Sequence, residues 1–279
     1  MLGVFESLVG KRAFIDRVDL SLTKPVSLEN LTHFRITGQK PCLGQKSFYA
    51  RHAWGESSVT GNRFFLWYGK ASRFPQVPSA RLTLLSDYTP LTAAEVLLAV
   101  RELVGDIAAV RVTKVELTFD LHHDQAALAK AIFSIAQKRT ELTDDRGWRT
   151  NYVGGPKSER EVCIYRKTSK VARVELVLRR RSLVRLGITS PEQILLLRLV
   201  DFSRFMSFRD FDAVKFQREV NRRVAPRWRR RIWHEYLVRL SAQEQTKEFE
   251  SGYDVPSNTF TEPSAINSEI KKMQSRLTW

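Results

Sequence analysis

Strict alternation of apolar and polar residues constrains this chain most, because it recurs in two sets of three segments that run in the same order. "RVDLSL" at 17–22 matches "KVELTF" at 114–119, "LWYGK" at 66–70 matches "CIYRK" at 163–167, and "ARLTLL" at 80–85 matches "ARVELV" at 172–177. A period of two is the signature of strands with one buried face. Each set then closes on a segment with helix-start chemistry. In "TPLTAAEVLLAVRELVG", Thr92 is an N-cap with Glu95 completing a capping box; in "TSPEQILLLRLV", Ser190, Pro191 and Gln193 hold the cap, first-turn and box positions. A repeat of about 95 residues is too long for a solenoid unit. The pattern therefore predicts an α+β fold of two pseudo-duplicated halves, each an antiparallel sheet with packed helices, followed by a basic helical region. The halves are expected at 1–106 and 107–200, the second also carrying a helix in "DQAALAKAIFSIAQKR". The basic region is expected at 201–245 and a polar tail at 246–279.

Chemistry enters through the polar faces. In "KVELTFDL", Glu116, Thr118, Asp120 and His122 share one face, while Val115, Leu117, Phe119 and Leu121 fill the other. Carboxylates two positions apart on a strand can converge on one hard cation, Mg²⁺ or Mn²⁺. The segment "REVCIYRKTSKVARVELVLRRR" reads as a hairpin. With 165 opposite 175 and 167 opposite 173, Tyr165, Lys167, Arg173 and Glu175 share a face, and Glu175 becomes a third carboxylate. In the matching half, Thr83 and Thr23 stand where Glu175 and Asp120 do, while Asp19 and Tyr68 remain. That asymmetry is expected of one catalytic half and one scaffolding half.

Charge names the partner. Forty-six Lys and Arg against 30 Asp and Glu give a net charge of +16, which favours a polyanion. No apolar run reaches the roughly 20 residues of a membrane span, and no secretory signal is read at the start. With only Cys42 and Cys163, a reduced cytoplasmic setting without structural zinc is expected. Arg222, Arg223, Arg227, Arg229, Arg230 and Arg231 crowd around Trp228 and Trp233, with Glu235 the one acid between 222 and 235. Phosphate contacts with indole stacking on unpaired bases suit that composition better than a solvated helix face.

A phenol beside a cation suits attack on a phosphodiester: the hydroxyl is a poor nucleophile until a base or a charge favours the phenolate. The set "TNYVGGPKSEREVCIYRK…ARVELVLRR" resembles the Rep-trans group of rolling-circle replication initiation factors of plasmids and phages, and related relaxases. The shared pieces are a Y-x-G-x-x-x-S stretch (Tyr152, Gly154, Ser158), an I-Y-x-K strand (Tyr165, Lys167), an R-x-E strand (Arg173, Glu175) and an upstream E-x-x-x-D strand (Glu116, Asp120). The resemblance implies an endonuclease that nicks one strand of origin DNA, forms a 5′-phosphotyrosine link and later rejoins the ends. It gives Tyr165 the nucleophile's role with Lys167 in support, and gives Glu116, Asp120 and Glu175 to Mg²⁺ or Mn²⁺. Tyr152, Ser158, Arg160, Arg173, Arg222, Arg223, Arg227, Trp228, Arg229, Arg230 and Arg231 are the expected DNA contacts. Expected partners are single-stranded or hairpin origin DNA, a host helicase and a second copy, with no membrane. Gly155-Pro156 and Arg166 depart from the group's pattern, and Tyr152 is a rival nucleophile. The competing reading is a DNA-binding regulator that does not cut. A tyrosine recombinase fits poorly, because Leu237 stands three after His234 where that class needs arginine.

Overall fold

Alternation becomes strand wherever a helix can cover the apolar face. The computed structural model describes residues 12–42, 47–87, 89–122, 125–134, 139–145, 147–155, 158–199, 205–208, 210–211 and 260–261. The first half supplies β1 (Arg12–Leu22), β2 (Phe34–Pro41), β3 (Tyr49–Ser57), β4 (Arg63–Lys70), β5 (Ala80–Leu85) and α1 (Ala93–Val104). The second supplies β6 (Val110–Leu121), α2 (Gln125–Ala131), β7 (Ile132–Ser134), β8 (Arg139–Thr143), β9 (Arg149–Val153), β10 (Arg160–Arg166), β11 (Ala172–Arg179) and α3 (Arg180–Arg185). A 3₁₀ segment, Pro191–Leu199, follows.

Ten of these strands form one sheet in the order β2-β3-β4-β5-β1-β6-β11-β10-β9-β8. Every pairing in it is antiparallel. Each half lays its strands in the same spatial sequence, and the two meet at β1 and β6, so the duplication is built into a single continuous sheet. Val115, Leu117, Phe119 and Leu121 are fully buried, and α1 adds Val96, Ala99, Val100 and Leu103 to the same core. Burying side chains of this size stabilises the fold by about 1.5–3 kcal/mol each. The capping reading holds for α1: the Thr92 hydroxyl accepts from Glu95 N–H at 3.1 Å. Its other end stops at Gly105, whose φ of 72° suits the left-handed cap and whose N–H reaches the Arg101 carbonyl.

Two expectations change. The helix predicted over "DQAALAKAIFSIAQKR" ends at Ala131, because Ile132–Ser134 pairs as a strand with β12 (Met206–Phe208). The "TSPEQILLLRLV" segment winds as 3₁₀ rather than α, yet the Gln193 side chain still reaches back to accept from Ser190 N–H at 3.0 Å. A last small pair joins β13 (Asp210–Phe211) to β14 (Phe260–Thr261). The arginine and tryptophan cluster at 222–233 lies outside the described residues, as does the polar tail apart from β14. Among the described residues no helix is long and apolar enough to cross a membrane.

Candidate active site

The sheet face away from the core carries the polar half of each alternating strand, and its rows can be read from the strand register. One row runs Asp120, Arg173, Tyr165, Thr150; the next runs Thr118, Glu175, Cys163, Tyr152. Tyr165 therefore lies opposite Arg173, not opposite Glu175 as the sequence suggested. The shift is two positions, so parity is kept and Tyr165, Lys167, Arg173 and Glu175 still share a face.

Glu175 is the immediate partner of the phenol: the Tyr165 hydroxyl donates to its Oε1 at 2.6 Å. Burial pushes the Glu175 carboxyl up to about 7; the Tyr165 hydrogen bond opposes this, and the charges of Asp16 and Glu116 reinforce it. Burial, followed by the charge and hydrogen bond of Glu175, drives the phenol well above its ordinary range. The pair is thus a neutral phenol held against a carboxylate that titrates near neutrality, the pKa a general base should have at physiological pH.

Asp120 does something different from the expectation. Arg173 donates from Nε to Oδ1 at 2.7 Å and from a terminal nitrogen to Oδ2 at 3.0 Å, and Lys167 Nζ donates to Oδ2 at 2.9 Å. With 3% of its side chain exposed, the carboxylate is buried between two cations. Burial raises its pKa, but Arg173 and then Lys167 outweigh that and hold it below the ordinary value. Lys167 is therefore occupied by Asp120, and Glu116 is paired with Lys114.

Asp16 was not read from the sequence. The ladder between β1 and β6 slips between Ile15 and Arg17, leaving Asp16 as the extra residue of a β-bulge. It is drawn into the same electrostatic group: burial raises its pKa to about 6, Arg173 lowers it, and Glu116 and Asp120 raise it. No alternation rule signals a bulge, so only coordinates reveal it. The Thr118 hydroxyl, on the face the alternation predicted, is fully buried, without a hydrogen-bond partner and directly across from Glu175.

These residues bear on Mg²⁺ or Mn²⁺. The charge of Glu116 raises the pKa of both Asp16 and Glu175, that of Asp16 also raises Glu175, and the orphaned Thr118 oxygen adds a hard donor, so the donor chemistry suits a hydrated divalent ion. As the side chains stand, no three Asp, Glu, His or Cys among the described residues are grouped as ligands. Asp120, doubly held by cations, is the poorest ligand of the expected trio.

The remaining expected contacts are placed as follows. Tyr152 faces Cys163, and burial, with that thiol next, raises its pKa. The Ser158 hydroxyl accepts from Gly155 N–H at 2.8 Å and so shapes the glycine turn. The Arg160 guanidinium lies over the Phe205 ring at 5.3 Å. His122 is exposed.

Register also corrects the comparison of the halves. Arg81 pairs with Ser21 and Trp67, as Arg173 pairs with Asp120 and Tyr165; Thr83 pairs with Asp19 as Glu175 pairs with Thr118. The counterpart of Tyr165 is therefore Trp67. Tyr68 packs against the core and donates to Gln39 instead. Ser21, Thr83 and Arg17 occupy the places of Asp120, Glu175 and Glu116, so the first half carries neither the phenol nor these three acids at the matching positions.

No family model matches the chain, and no curated protein does. Among solved structures, the chain is similar to the rolling circle replication initiator protein from Geobacillus stearothermophilus. The TM-score is 0.48 and the sequence identity 17%, over 73% of this chain and 89% of that one.

Proposed function

We propose that the chain is a replication initiator that nicks and rejoins one strand of origin DNA through Tyr165. The observation that carries this reading is the 2.6 Å hydrogen bond from the phenol to a carboxylate titrating near 7. Glu175 takes the phenolic proton as the Tyr165 oxygen attacks phosphorus. The new bond is Oη–P and the bond broken is P–O3′; the departing 3′ oxygen takes a proton from water, leaving a 3′-OH and a 5′-phosphotyrosine. Rejoining reverses these steps, with Glu175 returning the proton. Arg173, fixed by Asp120 beside the phenol, favours negative charge developing on that oxygen.

Glu116, Asp16 and the second oxygen of Glu175 would hold Mg²⁺ or Mn²⁺, with Asp120 confined to orienting Arg173 and Lys167. When bound, such an ion would polarise a non-bridging phosphate oxygen. The partner is unpaired origin DNA; the net charge of +16 supports a polyanion. A helicase and a second copy remain partners proposed from the resemblance alone. The test is incubation with a single-stranded origin-like oligonucleotide and Mn²⁺, with and without chelator. The expected product is a covalent adduct on the peptide containing Tyr165. An adduct on Tyr152 would keep the class and move the nucleophile; no adduct under any condition would leave a protein that binds without cutting.

A further inference from the structure

The degenerate half keeps a worked face where its catalytic set has gone. A groove of about 970 Å³, at the upper end of the roughly 300–1,000 Å³ that ligand sites span, opens on this side and is lined by Trp67, Arg81, Arg17 and Thr83 together with Arg179 and Arg180. Three of these four first-half residues are the counterparts of Tyr165, Arg173 and Glu175; Arg17 is the counterpart of Glu116. The replacement has an electrostatic consequence. Arg173 is neutralised by Asp120, whereas Arg81 faces Ser21 and has no acidic partner among the described residues. Arg180 is likewise exposed without one. The face has exchanged the Asp120 and Glu175 carboxylates for an indole and the Arg81 and Arg180 guanidinium groups, while Arg17 is paired with Asp19 and Arg179 with Glu161.

An aromatic strip continues outward from the groove. His52 stacks on Trp67 with centroids 4.6 Å apart and planes 9° from parallel, and it also contacts Trp54 at 5.5 Å and Phe65 at 5.9 Å. Trp54 lies flat over Gly38, where a Cβ would meet its ring at 2.4 Å, and Lys40 sits 6.0 Å above the indole. Cross-strand aromatic pairs do stabilise sheets. Two buried polar atoms are unexplained by that role: His52 Nε2 has no hydrogen-bond partner, and the Tyr49 hydroxyl, on a residue only 5% exposed that lines the groove, faces Arg81 without making a hydrogen bond of good geometry.

We infer that this vestigial twin site binds the unpaired DNA strand flanking the scission, with Trp67 stacking a base and Arg81 and Arg180 holding its phosphates. A single strand is favoured over duplex because stacking requires an unpaired base and because the strip is flat, aromatic and edged by cations. The inference rests on the nicking proposal for why DNA is present, but not on Tyr165 being the nucleophile.

The test uses the full chain carrying Tyr165→Phe, so that no covalent product forms, and fluorescence anisotropy of a labelled mixed-sequence single strand. Trp67→Leu should weaken binding by roughly 5- to 150-fold, as expected when one base stack is removed, and should reduce the quenching of tryptophan fluorescence on binding, whereas Trp67→Phe should restore most of the affinity. Arg81→Gln with Arg180→Gln, both exposed and outside the core, should reduce the slope of log affinity against log salt by roughly 0.7 for each phosphate no longer neutralised. Equal affinity of all variants, or unchanged preference when duplex DNA replaces the single strand, overturns the inference. If those variants bind normally and the Tyr165 adduct still forms, the groove proposal fails and the nuclease stands; weakened binding with no adduct in the Tyr165 chain reverses that outcome.

Discussion

The Tyr165 hydroxyl donates to Glu175 Oε1 at 2.6 Å across the β10–β11 hairpin, although the two residues are diagonal rather than opposite in register. The contact depends on a long ring reaching one pleat along the neighbouring strand, which diagonal pairs on a sheet face permit.

Replacing Tyr165 by Phe removes the oxygen proposed to attack and leaves the ring. No covalent adduct should form on any strand, while single-strand affinity stays within about twofold, since the hydroxyl's partner is Glu175 rather than DNA. Denaturing gel electrophoresis of labelled oligonucleotides reads both the nick and the adduct. A surviving adduct at another residue identifies a different nucleophile.

Glu175→Gln keeps the shape and removes the proposed base. Nicking should slow by roughly 10²- to 10⁴-fold. In the parent chain the single-turnover rate should climb as pH rises through about 7, where Glu175 loses its proton, and level off above. A rate flat from acid to neutral pH would exclude Glu175 from the proton transfer.

The same carboxyl makes stability pH-dependent. Its pKa rises from an ordinary 4.5 to about 7 on folding, so between those values the folded chain retains a proton that the unfolded chain has released. Stability therefore falls as pH rises across that window and is level above it, with Asp16, at about 6, adding to the fall in its lower part. Asp120 acts in the opposite sense: its depressed pKa lends stability that is lost only as pH falls below the ordinary carboxylate range. Thermal melts at about pH 5 and about pH 7.5 should show a larger drop for the parent than for Glu175→Gln.

Asp120→Asn should be the most costly polar change at the site. It leaves Arg173, 12% exposed, without its anion, and breaking a buried pair from one side costs about 3–5 kcal/mol. Urea denaturation measures it. Thr92→Ala, by contrast, removes one cap bond and should cost about 1 kcal/mol. If Asp120→Asn costs no more than Thr92→Ala, the clamp has little structural weight.

Much of this arrangement was legible from the residues. The face shared by Glu116, Thr118 and Asp120 follows from one unbroken alternation, and β6 spans the whole of it. Thr92 and Glu95 announced α1 because capping is local chemistry. Three features were hidden. The bulge at Asp16 changes facing without changing composition. The hairpin register depended on the turn at 167–171, where Lys167 N–H bonds the Val171 carbonyl and sets 165 against 173. The match of Tyr68 to Tyr165 was drawn by aligning identical letters, but the ladder places Trp67 there, so likeness of sequence and likeness of position differ by one residue and hence by a whole face.

The seam between β1 and β6 has a consequence for ancestry and for engineering alike. Either half cut away at the seam would end in a long unpaired strand, a raw border open to another chain. Since that border is antiparallel to its own copy in the fused sheet, two identical halves could close upon each other as a symmetric dimer with two equal centres. Under the proposed function, joining them in one polypeptide would leave one centre to cut and free the other for another task.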